Sequence, residues 1–179
     1  MPEEHHTDEH AQDAENVCYV HADDYESIVL APRENYTDAV RALRLGPPSE
    51  GSPALPYTLA ARDLTLADID AALRAVLPPA GVLMTGYTTD LASVPGGFAY
   101  FDPDFGAIYG RTRHGQMEDP ALHLYFDNTY CDCGIDFSDA MHAIEAFARR
   151  HGLIMVDWLM ETVVDLAEAG AMARYFEGL

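Results

Sequence analysis

Residues that can bind metal or transfer protons concentrate between positions 114 and 136 of this sequence. Cys131 and Cys133 stand one residue apart, and His114 precedes them. Thiolate and imidazole ligands suit Zn²⁺, but structural zinc sites usually space paired cysteines by two or more residues and add a second pair of ligands. The sequence therefore favours two loop cysteines without a metal, and it leaves a zinc site at these three residues as the alternative.

The polar face of a short strand is a second candidate for chemistry. His123, Tyr125 and Asp127 alternate with apolar residues, so the two-residue period of a strand places them on one side. Asp127 can orient His123 for general-base catalysis. Arg111 and Arg113 on a neighbouring strand can hold an anionic substrate or pair with Asp127 across the sheet. The solvated face of an antiparallel sheet explains the pattern better. A small metal-assisted hydrolase built on His123, Asp127 and the cysteine pair is thus the second functional hypothesis.

Acidic and aromatic side chains crowd the same part of the sequence. Oxygen-rich loops can hold Ca²⁺ or Mg²⁺, but the sequence contains no D-x-D-x-D-G loop with its distal glutamate. Alternation sends about half of the aromatic side chains to the core and leaves exposed tyrosines, a residue type enriched at interfaces. The predicted binding residues are Tyr100, Asp102, Asp104, Tyr109, Asp119, Tyr125, Tyr130 and Asp132. One exposed tyrosine of this set is expected at the centre of a contact, with aspartates around it.

The charge balance argues against direct binding to polyanions. The sequence has 30 acidic residues against 10 basic ones, all of them arginine, and a formal net charge of −20. Nucleic acids and anionic membranes bind positively charged surfaces, so neither is an expected partner. Ordinary solubility, a saline cytoplasm and a surface for a basic partner each explain the acidity. Averaged over the surface, the charge is more dilute than on DNA, so mimicry of DNA requires acids clustered on one face.

These observations favour a binding protein over an enzyme. The sequence lacks the G-x-S-x-G, P-loop, dinucleotide-binding and H-E-x-x-H motifs. Its small size, acidity and aromatic–acidic middle favour a non-catalytic protein that binds and inhibits a basic protein partner, such as a nuclease or another nucleic-acid-binding protein. Immunity proteins, antitoxins and DNA mimics share these gross properties, which is an analogy of composition alone. No cofactor is expected.

The chemistry-bearing region is positioned by a strand, a loop, a helix and a second strand. The first strand covers residues 122–127, and the acidic loop covers residues 128–136. Ser138 can cap a helix with one apolar stripe, and Gly152 can close that helix in the left-handed conformation. The apolar run 153–156 is typical of a buried strand.

An earlier segment repeats this order. Residues 57–60 are a candidate strand, Thr65 caps a helix that Pro78 ends, and residues 82–84 form the next strand. Five identical pairs align without a gap: Asp68/Asp139, Ala72/Ala143, Ala75/Ala146, Gly81/Gly152 and Met84/Met155. A duplicated strand-helix-strand unit and a chance match of two amphipathic helices both explain these pairs.

The rest of the chain divides into further predicted strands and helices. Asp23 and Asp24 favour a hairpin between the apolar runs 17–20 and 28–30. Residues 162–164 fit either a helix or a strand. The other predicted elements are a helix over 36–45, a hairpin of 98–101 with 107–111, and a helix over 169–176.

Length and composition indicate one domain with an acidic tail. Residues 1–16 are polar and poor in hydrophobic residues, which predicts disorder. Residues 17–179 are predicted to form a single α/β domain, an α+β sandwich with a mixed, largely antiparallel sheet and helices on one face. The sequence shows no apolar run of membrane-helix length and no signal peptide, and its three cysteines are few and odd in number. A cytoplasmic location is expected.

Overall fold

The described part of the chain contains two β-sheets and four α-helices. The computed structural model describes residues 17–45, 55–126 and 138–178. The predicted tail, residues 1–16, lies outside these ranges. In chain order the strands are β1 (Val17–His21), β2 (Ile28–Pro32), β3 (Val82–Tyr87), β4 (Asp90–Ser93), β5 (Gly97–Asp102), β6 (Gly106–Arg113), β7 (Gln116–Met117), β8 (Leu122–Phe126), β9 (Leu153–Asp157) and β10 (Thr162–Asp165). The α-helices are α1 (Tyr36–Leu45), α2 (Leu66–Leu73), α3 (Ser138–His151) and α4 (Ala171–Glu177).

The strands form one large and one small sheet. The large sheet has the order β10-β9-β2-β8-β6-β5, with β7 paired to β6, and its pairs are antiparallel. The small sheet has the order β1-β3-β4, in which β1 and β3 are parallel. The predicted α+β sandwich with a largely antiparallel sheet is confirmed. Over the described ranges, no helix has the length and apolar character needed to cross a membrane.

One face of the large sheet carries the main core. Its side chains include Leu30 of β2 and Met155 of β9, which are fully buried. Helices α2, α3 and α4 cover this face through residues such as Ile69, Ile144 and Met172. Full burial of one such side chain stabilises a fold by about 2 kcal/mol, so this face supplies the largest share of the apolar stabilisation.

The second face of the large sheet is covered in two separate pieces. The small sheet covers one part, where Val20 of β1 and Leu83 of β3 pack with Tyr109 of β6. Helix α1 covers the other part, where Ala39 packs with Val156 of β9. Helices therefore lie on both faces rather than on one, because β2 and β9 are apolar on both sides and need two covers. Between the two covers a cavity remains over β2 and β8.

Most predicted elements are confirmed. Helix α1 has the predicted bounds, and β5 and β6 form the predicted hairpin around residues 103–105. β8, α3 and β9 follow in the predicted order, and Gly152 closes α3 with a φ of 62°. Thr162–Asp165 is strand β10, which decides between the two alternatives for this segment.

The predicted hairpin of β1 and β2 is wrong. β1 pairs with β3 in the small sheet, whereas β2 lies between β8 and β9 in the large one. β1 places its buried residues, Cys18 and Val20, on one side only and suits a sheet with one solvated face. β2 is buried over residues 29–32 and needs a neighbour on each edge. Burial therefore overrides the turn signal of Asp23 and Asp24.

The predicted strand over residues 57–60 is also wrong. Asn35 Nδ2 donates to the Tyr57 carbonyl oxygen at 2.7 Å, and Asn35 Oδ1 accepts from the Tyr57 amide at 3.0 Å. These bonds occupy backbone groups that a strand would use, and Leu59–Ala61 forms a 3₁₀ helix instead. Helix α2 thus has no strand directly before it in the described residues. Since β3 and β9 also lie in different sheets, the two matched segments do not hold equivalent places in the fold.

The cap of α2 gives a testable measure of local stability. Thr65 Oγ1 accepts from the Asp68 amide at 3.2 Å, and the Asp68 carboxylate accepts from the Thr65 amide at 3.0 Å, so the predicted cap is confirmed as a capping box. We expect Thr65→Ala to lower the free energy of unfolding by about 1 kcal/mol, because a helix-terminal amide loses its acceptor. Urea denaturation measures the change. Thr65→Ser keeps the hydroxyl and is the control; an equal loss in both variants would contradict the capping role.

Candidate functional site

His123 of β8 was predicted on a solvated sheet face, and the structure buries it. Its residue surface is 5% exposed. The imidazole ring stacks on Tyr109, with ring centroids 5.4 Å apart and an angle of 19° between the planes. The Tyr25 ring lies 5.4 Å from it at 34°. The prediction of a wet face is wrong at this position, because the small sheet and the loop 22–27 cover that side of β8.

Asp119 supplies a carboxylate beside His123. Asp119 Oδ2 lies 3.8 Å from His123 Nε2. Asp119 is 2% exposed and accepts from the Arg111 amide and from Arg111 Nε, each at 2.7 Å. It is thus a buried partner of Arg111, and not part of the exposed rim that the sequence suggested. The predicted orienting residue, Asp127, lies outside the described residues.

The surroundings of His123 keep its imidazole neutral. Burial lowers the pKa of His123 below its ordinary value; Asp119 and Glu26 act in the opposite direction, and Arg111 reinforces the lowering. The single proton is best placed on Nε2, where it faces the Asp119 carboxylate, and we assign this tautomer. Nδ1 is then a buried acceptor, and no described residue donates to it.

A cavity of about 300 Å³ adjoins His123 in the gap between the two covers of the second face. The other lining residues are Tyr25, Glu26, Val29, Leu55, Thr58, Arg111, Asp119, Pro120, Ala121 and Trp158. Three atoms of these residues are buried without a hydrogen-bond partner in the described part of the chain: Tyr25 Oη, His123 Nδ1 and Trp158 Nε1. A buried unpaired polar group costs about 1–3 kcal/mol, and all three of these atoms belong to residues that line this cavity.

A second cavity, of about 580 Å³, adjoins the first. The two share Tyr25, Glu26 and Trp158 as lining residues. Thr85 lines the second cavity, and its Oγ1 is the fourth buried side-chain atom without a partner among the described residues. All four such atoms therefore belong to residues of this one cleft.

Two of the predicted binding tyrosines lie in the core. Tyr100 and Tyr109 are buried, and their hydroxyls donate to Asp70 Oδ1 and to the Tyr25 carbonyl oxygen, each at 2.7 Å. Both faces of β5 and β6 are covered, the first by the main core and the second by the small sheet. These two tyrosines therefore do not form the exposed contact that the sequence suggested.

The remaining predicted binding residues lie nearer the surface or outside the described ranges. Asp102 and Asp104 occupy the β5–β6 turn, where Asp102 Oδ1 accepts from the Asp104 amide at 2.9 Å. Tyr125 is half-buried on β8. Tyr130 and Asp132 fall outside the described residues. A role in binding stays a prediction for all of them.

The metal and hydrolase alternatives also stay predictions. Cys131 and Cys133 lie outside the described residues, as Asp127 does, and His114 is exposed in the β6–β7 turn. In the part of the chain that the structure describes, no group of three or more His, Cys, Asp or Glu side chains could hold a metal ion. Burial raises the pKa of the Cys18 thiol to about 12, so Cys18 is not a nucleophile at neutral pH.

Three chain reversals meet at one end of the large sheet. They are the loop that enters β2, the β5–β6 turn and the β9–β10 turn. Ile28 pairs with both Asp157 and Leu124, and Gly106 pairs with Phe126. The three reversals therefore lie at the same end of the large sheet. This end of the sheet adjoins the cleft, because Tyr25 belongs to the first loop and Trp158 to the last turn.

These reversals concentrate negative charge. Their carboxylates include Asp23, Asp24, Asp102, Asp104 and Glu161, and we call these five the acidic end. Glu26 lies in the first of the three reversals as well. None of the ten arginines of the chain falls within residues 22–27, 102–106 or 158–161. The three reversals themselves therefore carry carboxylates and no arginine, and Arg111 is the arginine that lines the adjoining cavity with Tyr25.

Comparison with known proteins gives no family. No protein-family model matches this chain. Neither a curated protein nor a solved structure matches it. The function is therefore argued from the site itself.

Sequence reasoning missed Tyr25 and Trp158. Trp158 is the sole tryptophan of the chain and directly follows the buried strand β9, and an amphipathic ring at such a position was the available signal. Tyr25 lies between acidic residues that suggested a turn, and no pattern pointed to its contact with His123. The place of Asp119 beside His123 depends on the backbone path between β7 and β8, which the sequence does not reveal.

Separate removal of the Tyr25 and Tyr109 hydroxyls tests whether the Tyr25 hydroxyl is buried without a hydrogen-bond partner. We expect Tyr25→Phe to leave the free energy of unfolding unchanged or to raise it, because the Tyr25 hydroxyl is buried without a partner. Tyr109→Phe should lower it by about 1 kcal/mol, because it removes the bond to the Tyr25 carbonyl oxygen. Chemical denaturation measures both. A larger loss in Tyr25→Phe than in Tyr109→Phe would show that the Tyr25 hydroxyl does have a stabilising partner.

The lowered pKa of His123 predicts a pH dependence of stability. Between the ordinary value of 6.5 and the lower folded-state pKa, the unfolded chain binds more protons than the folded one at this residue. The free energy of unfolding should therefore fall as pH drops below about 6.5. In His123→Phe, which keeps a ring in the stack, this part of the slope should disappear. Denaturation curves from pH 8 to pH 5 measure both slopes; an identical pH dependence in the two proteins would contradict the prediction.

Proposed function

We propose that this protein is a non-catalytic acidic binding protein that engages and inhibits a basic protein partner through its acidic end. The observation that carries the proposal is the separation of charge along the large sheet. Five carboxylates lie in three adjacent chain reversals, and the arginines lie elsewhere. A surface of one charge sign steers an oppositely charged partner and speeds association.

The pairing of the arginines supports this proposal. Within the described residues, eight of the ten arginines form ion pairs with carboxylates, and none of these eight pairs includes a residue of the acidic end. The pairs are Arg33–Asp165, Arg41–Asp38, Arg62–Glu34, Arg74–Asp70, Arg111–Asp119, Arg113–Glu118, Arg149–Glu145 and Arg174–Glu168. Pairing with arginine offsets acidic charge elsewhere and not at the acidic end, where Asp23 Oδ2 lies 3.6 Å from His21 Nδ1.

Apolar side chains next to the acidic end supply contact area. Leu159 and Met160 of the β9–β10 turn are 68% and 54% exposed, beside Glu161. Tyr87 of β3 is exposed as well, and its hydroxyl donates to Asp23 Oδ1 at 3.0 Å. Protein interfaces commonly place apolar and aromatic anchors inside a polar rim, and this surface has both components.

Inhibition follows from the kind of partner. A nuclease or another nucleic-acid-binding protein presents a cationic surface, and it loses access to its polyanionic substrate when that surface is covered. Immunity proteins, antitoxins and DNA mimics act in this way, and a mimic needs the clustering of acids that the acidic end provides. Adaptation to a saline cytoplasm explains the charge less well, because it predicts acids spread evenly over the surface. We infer a cytoplasmic location from the sparse cysteine set.

Neutral variants of the acidic end test the proposal. The combined variant Asp23→Asn, Asp104→Asn and Glu161→Gln replaces three carboxylates by amides of the same size. We expect affinity capture from extracts of the native host to retain a basic protein on the parent chain, and to retain it about tenfold less on the variant, because charges at an interface rim steer association. Quantitative mass spectrometry of the captured fraction measures the difference.

The matched control makes the same change in net charge away from the acidic end. It combines Glu34→Gln, Asp63→Asn and Glu168→Gln, all exposed residues. The control should retain the partner as the parent does, and retention by both should fall as salt rises. Equal losses in the two variants, a captured partner of acidic isoelectric point, or binding that does not respond to salt would each contradict the proposal.

A further inference from the structure

We propose that the outer face of the small sheet, which is turned away from the large sheet, docks an apolar patch of the basic protein partner, bordered there by arginine or lysine side chains. This inference rests on the proposed function and adds a second part to the contact surface of the partner. The observation behind it is a set of five apolar side chains that share this face and remain accessible. They are Val17 and Tyr19 of β1, Val82 and Met84 of β3, and Leu91 of β4.

The register of the small sheet places these five side chains on one side. Paired residues point to the same side of a sheet, and the sides alternate along each strand. The partners that point inward include Cys18 and Leu83, which are buried against the large sheet. The partners that point outward form three adjacent rows: Val17–Val82, Tyr19–Met84–Ser93 and Gly86–Leu91. The five apolar side chains are therefore neighbours on one surface.

Accessibility separates this outer face from the core. Tyr19, Val82 and Leu91 are 40%, 43% and 46% exposed, and Val17 and Met84 are half-buried. None of the five belongs to the apolar clusters that the described residues form on the large sheet. A solvated sheet face normally carries polar residues, whereas a contiguous exposed apolar patch is typical of a binding surface.

The chain segments that build the small sheet carry acidic residues and no cationic Arg or Lys side chain. Segments 17–32 and 75–110 contain all three strands of this sheet and the loops that leave them. Neither segment contains an arginine, and the whole chain lacks lysine. Their carboxylates are Asp23, Asp24, Glu26, Asp90, Asp102 and Asp104. Cations of a partner that approaches this sheet therefore meet carboxylates, which is the charge complementarity that a basic protein offers.

Two of these carboxylates lie at the border of the apolar face. Asp90 directly precedes Leu91 in β4, is exposed, and pairs with Tyr87. The Tyr87 hydroxyl donates to Asp23 Oδ1 at 3.0 Å, so Asp23 lies at the same end of the small sheet. Asp23 also belongs to the acidic end. The apolar face thus adjoins the surface already proposed for the partner, and together they have the apolar centre and charged rim of a protein interface.

A basic protein fits this face better than the chain itself does. A second copy carries a formal net charge of −20 and brings the same carboxylates to the contact, so like charges repel. The N-terminal segment 1–16 has six acidic residues, and its only hydrophobic residues are Met1, Ala11 and Ala14. It therefore supplies little apolar surface to cover the face.

Paired substitutions test the inference with the basic protein that affinity capture retains, after its purification. The variant Tyr19→Thr with Leu91→Thr removes two apolar anchors and keeps residues that suit strands. We expect it to bind the partner about tenfold more weakly, mostly through faster dissociation, because desolvated anchors set the dissociation rate. The salt dependence of association should stay that of the parent, since no charge changes. Surface plasmon resonance measures both rates.

The matched control removes the same two residue types elsewhere. Tyr57→Thr with Leu45→Thr changes exposed side chains outside the small sheet and should bind as the parent does. Urea denaturation checks that both variants are folded. If the first does not fold, Leu91→Thr alone carries the test, because it keeps the bond from the Tyr19 hydroxyl to the Gly86 carbonyl oxygen at 2.9 Å.

The outcomes separate this inference from the proposed function. If the acidic-end variant loses the partner but the Leu91 variants dissociate no faster than the control, the inference fails and the proposed function stands. If no basic protein is captured, both fail. Self-association of the parent that Leu91→Thr abolishes, measured by sedimentation, would assign the face to a second copy. Hydrogen exchange in residues 1–16 that is slower in the parent than in Leu91→Thr would assign it to the N-terminal segment; either result overturns the inference.

Discussion

The two-sided apolar character of β2 and β9 is the constraint on which the rest of the structure depends. Strands of this kind are stable only when both faces and both edges are covered. The main core meets this need on one face with α2, α3 and α4. On the other face the small sheet and α1 come from different parts of the chain and pack in separate apolar clusters. The loop 22–27 runs from the small sheet to β2, and it borders the gap that separates the two covers.

The antiparallel order of the large sheet also determines where the charged residues lie. Neighbouring antiparallel strands return the chain to alternate ends of the sheet, so reversals that are far apart in sequence lie side by side. One end receives the five carboxylates of the acidic end, while Arg33 and Arg111 lie toward the other end of their strands. The cleft opens next to the acidic end because Tyr25 and Trp158 belong to its reversals. The acidic end and the cleft thus lie at the same end of the large sheet.

The sequence revealed the local elements better than their assembly. The helix at residues 36–45, the β5–β6 hairpin and the α3–β9 unit follow from periodicity and caps, which are local signals. The partners of β1 and β2 could not be predicted, because pairing depends on burial set by residues far along the chain. For the site, the sequence singled out His123 but placed it on a solvated face, whereas the structure buries it. Its burial arises from Tyr25 and Tyr109, whose positions depend on tertiary packing that no spacing in the sequence encodes.

The pairing of β2 has a consequence for the order in which the protein is built. β2 emerges early from a ribosome, but its two neighbours are residues 122–126 and 153–157. Until both are synthesised, an apolar strand with two open edges has no native partner, and such strands associate readily with other chains. β1 also has no native partner at first, because its partner strand β3 begins at Val82. The cleft at the loop between β1 and β2 therefore takes its final form only after most of the chain is complete, and a truncated or nascent chain lacks it altogether.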